Sequence, residues 1–186
     1  MKIAICPLVV LLIGCSFAGL AQAHQRSEEH DSSQITSTYT DIGERGCKTV
    51  RVDRESGSSV QTCPGVGGYK LLLEDSDNRM SVTVIDSRGR RYPLNYWSVI
   101  TPNFSTLGSR AEWRVVKTKR GRVPIALIVR VNSNQGTETD NVISFLAVAK
   151  ITPDMICVTD KIAPSPTANA EARRAADTSR INRCLK

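Results

Sequence analysis

The stretch Cys63–Ile85, reading CPGVGGYKLLLEDSDNRMSVTVI, narrows the possible folds more than any other part of this chain. It opens with a cysteine, a proline and three glycines, and two runs with a period of two follow. Tyr69, Leu71 and Leu73 share one face of an extended strand, and Met80, Val82 and Val84 share one face of the next. Glu74, Asp75, Ser76, Asp77 and Asn78 lie between them, residue types that favour chain reversal. The pattern predicts a β-hairpin at the centre of a small domain, pinned at its entrance by a disulfide through Cys63.

The N-terminus predicts export. Lys2 precedes an apolar run from Ile3 to Gly14 that is too short to span a bilayer comfortably. Ala21-Gln22-Ala23 then supplies the small-x-small pattern that signal peptidase cuts after, which makes 1–23 a signal peptide and His24 the mature N-terminus. A rival reading takes Leu12-Ile13-Gly14-Cys15 as a lipobox with Cys15 acylated, although the apolar Phe17–Ala23 would make an odd tether. The first reading places the protein in the periplasm or outside the cell; the second makes it an envelope lipoprotein, held at the membrane only through Cys15. Residues 24–37 (HQRSEEHDSSQITS) have almost nothing to bury and read as a flexible tether, leaving 38–186 as one domain.

Export governs the reading of the cysteines. Cys6 and Cys15 fall in the leader, so Cys47, Cys63, Cys157 and Cys184 remain for an oxidising compartment. Three pairings are formally possible, and the nearest-neighbour scheme, Cys47–Cys63 with Cys157–Cys184, is the most economical. No Cys-x-x-Cys and no nearby histidine supports a metal site instead, and no cofactor is expected.

Further along, Cys47–Asp53 and Val60–Cys63 read as paired strands, as do Glu112–Thr118 and the alternating Val123, Ile125, Leu127, Val129 and Val131. Pro124 suits the end or edge of its strand. Val142–Ile151 is nearly continuous in apolar residues, which predicts a strand covered on both faces. Met155–Ile162 adds another. The segment Tyr92–Leu107, with Pro93, Pro102 and several aromatics, has no sustained period and reads as a long ordered loop or short irregular strands. Beyond Pro166 the pattern changes: Thr167 can cap a helix starting at Ala168, with Glu171 in its first turn and a slim face of Ala172, Ala175, Ala176 and Ser179. The expected fold is mainly β, a sandwich or partly open barrel of seven to nine strands, with one C-terminal helix stapled by a disulfide.

Several chemistries are excluded or disfavoured. Both histidines, His24 and His30, sit in the tether, so no histidine-based triad or zinc site can form in the core. Oxidised cysteines are not nucleophiles. Cys63-Pro-Gly-Val-Gly-Gly68 leads into a strand and lacks the Lys-Ser/Thr of a phosphate loop. Asp75-Ser-Asp77-Asn-Arg79 starts like a calcium loop, but Arg79 and Met80 occupy positions that need an oxygen ligand and a glycine. A small hydrolase would have to draw a carboxylate pair from Glu74, Asp75, Asp77 or Glu112.

The net charge of +7 attracts anionic partners without specifying one. Two basic clusters, Arg88/Arg90/Arg91 and Lys117/Lys119/Arg120/Arg122, fall at predicted hairpin turns that can share one end of the sheet. They are the candidate anion-binding residues, for an envelope component or an acidic protein. No aromatics alternate with the basic residues inside either cluster, which disfavours nucleic acid. Tyr96, Trp97 and Phe104 are candidates for a sugar- or protein-binding face, with burial in the core the commoner fate of such residues.

Cys47 with Cys63-Pro-Gly-x-Gly-Gly-Tyr69, then Asp77-x-Arg79, Glu112-Trp-Arg114 and Ala172-Arg-Arg-Ala-Ala-Asp177 before Cys184 together resemble a family of small exported proteobacterial proteins. The resemblance spans most of the mature chain. It implies a bacterial, envelope-facing origin and a four-cysteine framework, and it brings no activity or site residues. The function expected from the sequence is a non-enzymatic exported binding or envelope-associated domain. The hydrolase and the structural lipoprotein anchored through Cys15 are the alternatives.

Overall fold

Period-two runs become strands and the alanine-rich C-terminus becomes a helix. The computed structural model describes residues 34–119, 121–136 and 141–186. The signal and lipobox assignments, the tether up to residue 33 and Arg120 therefore lie outside the described residues. In chain order the elements are β1 (Ile35–Asp41), β2 (Lys48–Asp53), β3 (Ser58–Pro64), β4 (Lys70–Ser76), β5 (Arg79–Ile85) and β6 (Arg91–Pro93). A single helical turn, α1 (Tyr96–Val99), leads to β7 (Ser105–Thr118), β8 (Gly121–Asn134), β9 (Val142–Ile151) and β10 (Ile156–Ile162). Helix α2 (Ala168–Thr178) and a 3-10 turn at Ser179–Ile181 follow.

All ten strands join one open sheet in the order β10-β9-β8-β7-β5-β4-β3-β2, with β1 on β7 and β6 on β5. Neighbours are antiparallel except at one parallel bridge, Arg79 to Ser105, which joins β5 to β7. β8 pairs with β7 from one end to the other, while β1 takes Arg110–Val116 of β7 and β5 meets it at Ser105. The two halves of the sheet enclose one core: Leu71, Leu73, Val82 and Val84 from one half cluster with Trp113, Leu127, Val129 and Ala149 from the other. A single curled sheet of this kind is the partly open barrel of the two expected architectures.

The central hairpin forms as its alternation predicts, with Leu71 paired to Val84 and Leu73 to Val82. Its turn is tighter than the five-residue reversal expected. Asp77 and Asn78 make it alone, at φ 52° and 56°, the left-handed pair whose twist matches two antiparallel strands. Both expected disulfides are present, Cys47–Cys63 and Cys157–Cys184.

Three expectations are corrected. Ile35, Thr36 and Ser37, placed in the tether, are already strand, because β7 is long enough to pair with them. The Tyr92–Leu107 segment is neither a loop throughout nor a run of irregular strands: β6, α1 and the start of β7 divide it. Thr167 precedes the helix at the expected place but makes no capping bond to the backbone; its hydroxyl donates to the Glu171 carboxylate instead.

β9 shows why Val142–Ile151 is almost wholly apolar. Ala147, Ala149 and Ile151 face the main core, while Leu146 and Val148 face outward under α2. There Ala168, Ala172 and Ala176 pack against Ala126, Ile128, Leu146 and Val148. Lys150 interrupts the apolar run at little cost, since its Nζ donates to the Asn182 carbonyl at 2.8 Å. Alanines let the helix backbone come close, but they remove little area from water, so further ties are needed. The Cys157–Cys184 bridge is one, and the Leu185 N–H donating to the Val158 carbonyl at 2.8 Å is another.

Candidate functional site

The loop after β5, the β7–β8 hairpin, the β9–β10 turn, the end of α2 and Tyr69 converge on a cleft of about 520 Å³. Asp86 builds the first part. Its Oδ1 accepts the N–H groups of Arg88 and Arg90 at 2.9 Å each, and its Oδ2 accepts Arg90 Nε at 2.7 Å. Burial pushes the Asp86 carboxyl up, but these donors outweigh it and hold the group below the usual carboxylate range. Arg90 also donates from Nη2 to the Pro153 carbonyl at 2.6 Å, tying the loop to the β9–β10 turn.

The glycine-rich loop before β4 lets the other parts approach. Gly67, at φ 64°, lies so close to the hairpin that a Cβ there would stand 2.9 Å from the Arg122 carbonyl oxygen. A Cβ on Gly68, at φ 84°, would stand 3.2 Å from Ser87 Cβ. The two basic turns therefore flank one loop. Tyr69 follows and lines the cleft, its ring centroid 6.1 Å from that of Trp113. Burial foremost, then the nearby Asp86 carboxylate, pushes the Tyr69 phenol up, so it stays a protonated hydrogen-bond donor.

The end of α2 is positioned by a pair of ion pairs. Arg114 grips Asp177 through two bonds, Nε–Oδ1 at 2.7 Å and Nη2–Oδ2 at 2.8 Å. Arg173 pairs with Glu112 at 2.6 Å and donates to the Tyr39 hydroxyl at 3.0 Å. Ser37 links the two pairs, accepting from Arg114 and donating to Glu112 at 2.5 Å each.

The resulting cleft has mainly apolar walls, including Val116, Val123, Pro124, Ile125 and Ile151. Its two acids, Asp86 and Asp177, are engaged by Arg90 and Arg114. Arg88 and Arg180 also line it, and among the described residues neither guanidinium has a hydrogen bond or an ion pair. The cleft can thus offer two unneutralised cations beside apolar surface.

The candidate residues from the sequence distribute unevenly. Arg88 and Arg90 line this cleft; Arg91 is exposed on β6. Lys117 and Arg122 stand opposite each other near the β7–β8 tip, one pair along from Val116 and Val123, and line a separate depression with Thr36 and Thr38. Lys119 is exposed at the tip. Sequence reasoning missed Tyr69 and Arg180. For Arg180 the signal was the Cys157–Cys184 bridge, which dictates where the end of the helix must lie.

The four carboxylates considered for hydrolysis are divided between two places. Glu112 lies on β7 with Arg173, while Glu74 accepts Thr83 Oγ1 at 2.6 Å and Asp77 pairs with Arg79 on the central hairpin. Burial, then Asp77, pushes the Asp75 carboxyl up. Tyr96 is fully buried, Trp97 and Phe104 are 38% and 47% exposed, and the Arg79 guanidinium sits 4.8 Å from the Phe104 ring centroid. Among the described residues no group of three or more His, Cys, Asp or Glu side chains is placed to hold a metal ion.

The fold defines a class, a mainly β domain with two disulfides and one helix laid across its sheet. Comparison with protein-family models, with curated proteins and with solved structures finds no match for this chain.

Proposed function

We propose that this protein is an exported, non-enzymatic binding domain of the cell envelope, and that the basic end of its sheet receives an anionic partner. The observation that carries this reading is the state of the charges there. Arg88 and Arg180 have no partner among the described residues, while the acids beside them are already paired. Lys117 and Arg122 add two more cations, directly opposite each other in register. Like charges placed opposite one another destabilise a strand pair slightly, and a bound anion would relieve that repulsion. Two disulfides suit an oxidising compartment.

The test uses heparin as a generic polyanion. The mature domain is expected to be retained at low ionic strength and released as salt rises, because exposed charges are screened over about 10 Å at 0.1 M. Replacing Arg88, Arg91, Lys117 and Arg122 together by Gln should abolish retention with little change in stability, since exposed charges contribute little to folding. No retention at low salt, or retention that survives the four substitutions, overturns the reading.

A further inference from the structure

We infer that the cleft between the Asp86–Arg90 loop, the β7–β8 hairpin and the end of α2 binds an amphiphilic anion: one acidic head group joined to an apolar chain or ring. The inference rests on the basic-end reading and adds the ligand class.

The walls and the charges point to the same chemistry. A volume of about 520 Å³ lies within the range of small-molecule sites, about 300–1,000 Å³. Such sites combine mostly apolar lining with a few polar groups that set orientation. Here the apolar lining comes from the β7–β8 hairpin and β9, with Val116, Val123, Ile125 and Ile151. The orienting groups come from other elements: Arg88 after β5, Arg180 after α2 and the Tyr69 phenol at the start of the central hairpin.

Charge complementarity selects an anion over a cation or a neutral apolar molecule. Asp86 and Asp177 could neutralise the cleft, but Asp86 already accepts three bonds from Arg88 and Arg90, and Asp177 two from the Arg114 guanidinium. A carboxylate or phosphate head group would complete the hydrogen bonding of Arg88 and Arg180, while its apolar body covered Val123 and its neighbours. Guanidinium groups suit such oxyanions because their donors form a planar fork. An inorganic anion would leave the apolar walls wet, and a hydrocarbon would gain nothing from the two exposed guanidinium groups, which stay bonded to water.

Titration calorimetry with the mature, oxidised protein tests this. The probes are decanoate, decyltrimethylammonium, which has the same chain and the opposite charge, and acetate, which has the head group alone. Decanoate should bind to one site, with decyltrimethylammonium and acetate each at least roughly tenfold weaker. Arg88→Gln with Arg180→Gln should weaken decanoate roughly tenfold. Val123→Asp, at a wall position 47% exposed, should do the same without unfolding the domain.

Equal binding of the cationic and anionic amphiphiles overturns the inference, because the arginines would then play no part. Binding of acetate as tight as that of decanoate overturns it as well, because the apolar walls would be idle. No decanoate binding by a protein still retained on heparin in a salt-dependent way sinks the cleft alone and leaves the basic surface standing. Loss of both sinks both. The wild-type comparison among the three probes decides the matter even if a variant fails to fold.

Discussion

Glu112 shows what a single side chain can conceal in a sequence. It was a candidate for a carboxylate pair, yet it is bound to Arg173 and Ser37, whose chain positions are 61 and 75 residues away. Burial raises its pKa, but those donors prevail and hold the carboxyl below the usual 4.5. A carboxyl depressed in the folded state stabilises the fold fully above its unfolded pKa, and that contribution disappears as the pH falls through the folded value. Glu112→Gln should therefore lower stability near neutral pH by about 1 kcal/mol, modest because Arg173 is partly exposed. Below the usual carboxylate range the variant and the parent should converge. Urea unfolding across that range measures it, and a difference independent of pH would mean that Glu112 acts by packing and not by charge. Arg114 carries the companion lesson. Arg114 is buried in the middle of a strand, and nothing near it in the sequence accounts for its charge until Asp177 is seen to meet it.

Elements with a sustained period were legible, and those without one were not. The β4–β5 hairpin, β8, β9 and α2 all stand where alternation or helix propensity placed them, give or take their ends, whereas β7 begins at Ser105, well before the expected Glu112. The turn α1 escaped notice because four residues are too few to display a helical period, and its flanking prolines suggested irregular chain. The glycine-rich segment before β4 was legible as the lead into a strand, but the surfaces it brings together were not. Two substitutions separate those features. Gly57 and Gly67 both have positive φ, at 67° and 64°, but nothing lies within 4 Å of a Cβ at Gly57, while the Arg122 carbonyl and Pro124 crowd one at Gly67. Gly57→Ala should cost about 1 kcal/mol for the left-handed backbone alone. Gly67→Ala should cost about 2–3 kcal/mol, the backbone term plus displacement of the β7–β8 hairpin. Equal shifts in unfolding midpoint for the two variants would show that the loop and the hairpin are not in close contact.

For the whole molecule, the Cys157–Cys184 bridge and the ion pairs divide the work of holding α2 and the chain after it, while Cys47–Cys63 ties β3 to the chain before β2. The bridges close loops with sequence separations of 16 and 27 residues, each worth about 3 kcal/mol in the chain-entropy view. Domains of this size are stable by only about 5–15 kcal/mol, so reduction of both bridges should leave the fold marginal. Cys184→Ser alone should have a local effect. Arg173–Glu112 still holds the middle of α2 and Arg114–Asp177 its last turn, so only the chain beyond Thr178 is loosened, and protease should cut there while the amides of β7 and β8 stay protected from exchange. Cooperative unfolding of the sheet in that variant would mean that the helix is needed for the curl of the sheet itself.

Residues adjacent in sequence carried the local decisions. Period-two runs made strands, Asp77-Asn78 made a hairpin turn, alanines made a helix with a slim face, and cysteine order made two bridges. These follow from forces that act over a few residues, or from chain entropy, which favours the nearer cysteine. Tertiary structure alone decided which charges are neutralised. Asp177 meets Arg114 and Glu112 meets Arg173, while Arg88 and Arg180 are left beside an apolar cleft. Ion pairing depends on a few ångströms of separation in space, and no spacing along the chain encodes a distance between residues more than sixty positions apart.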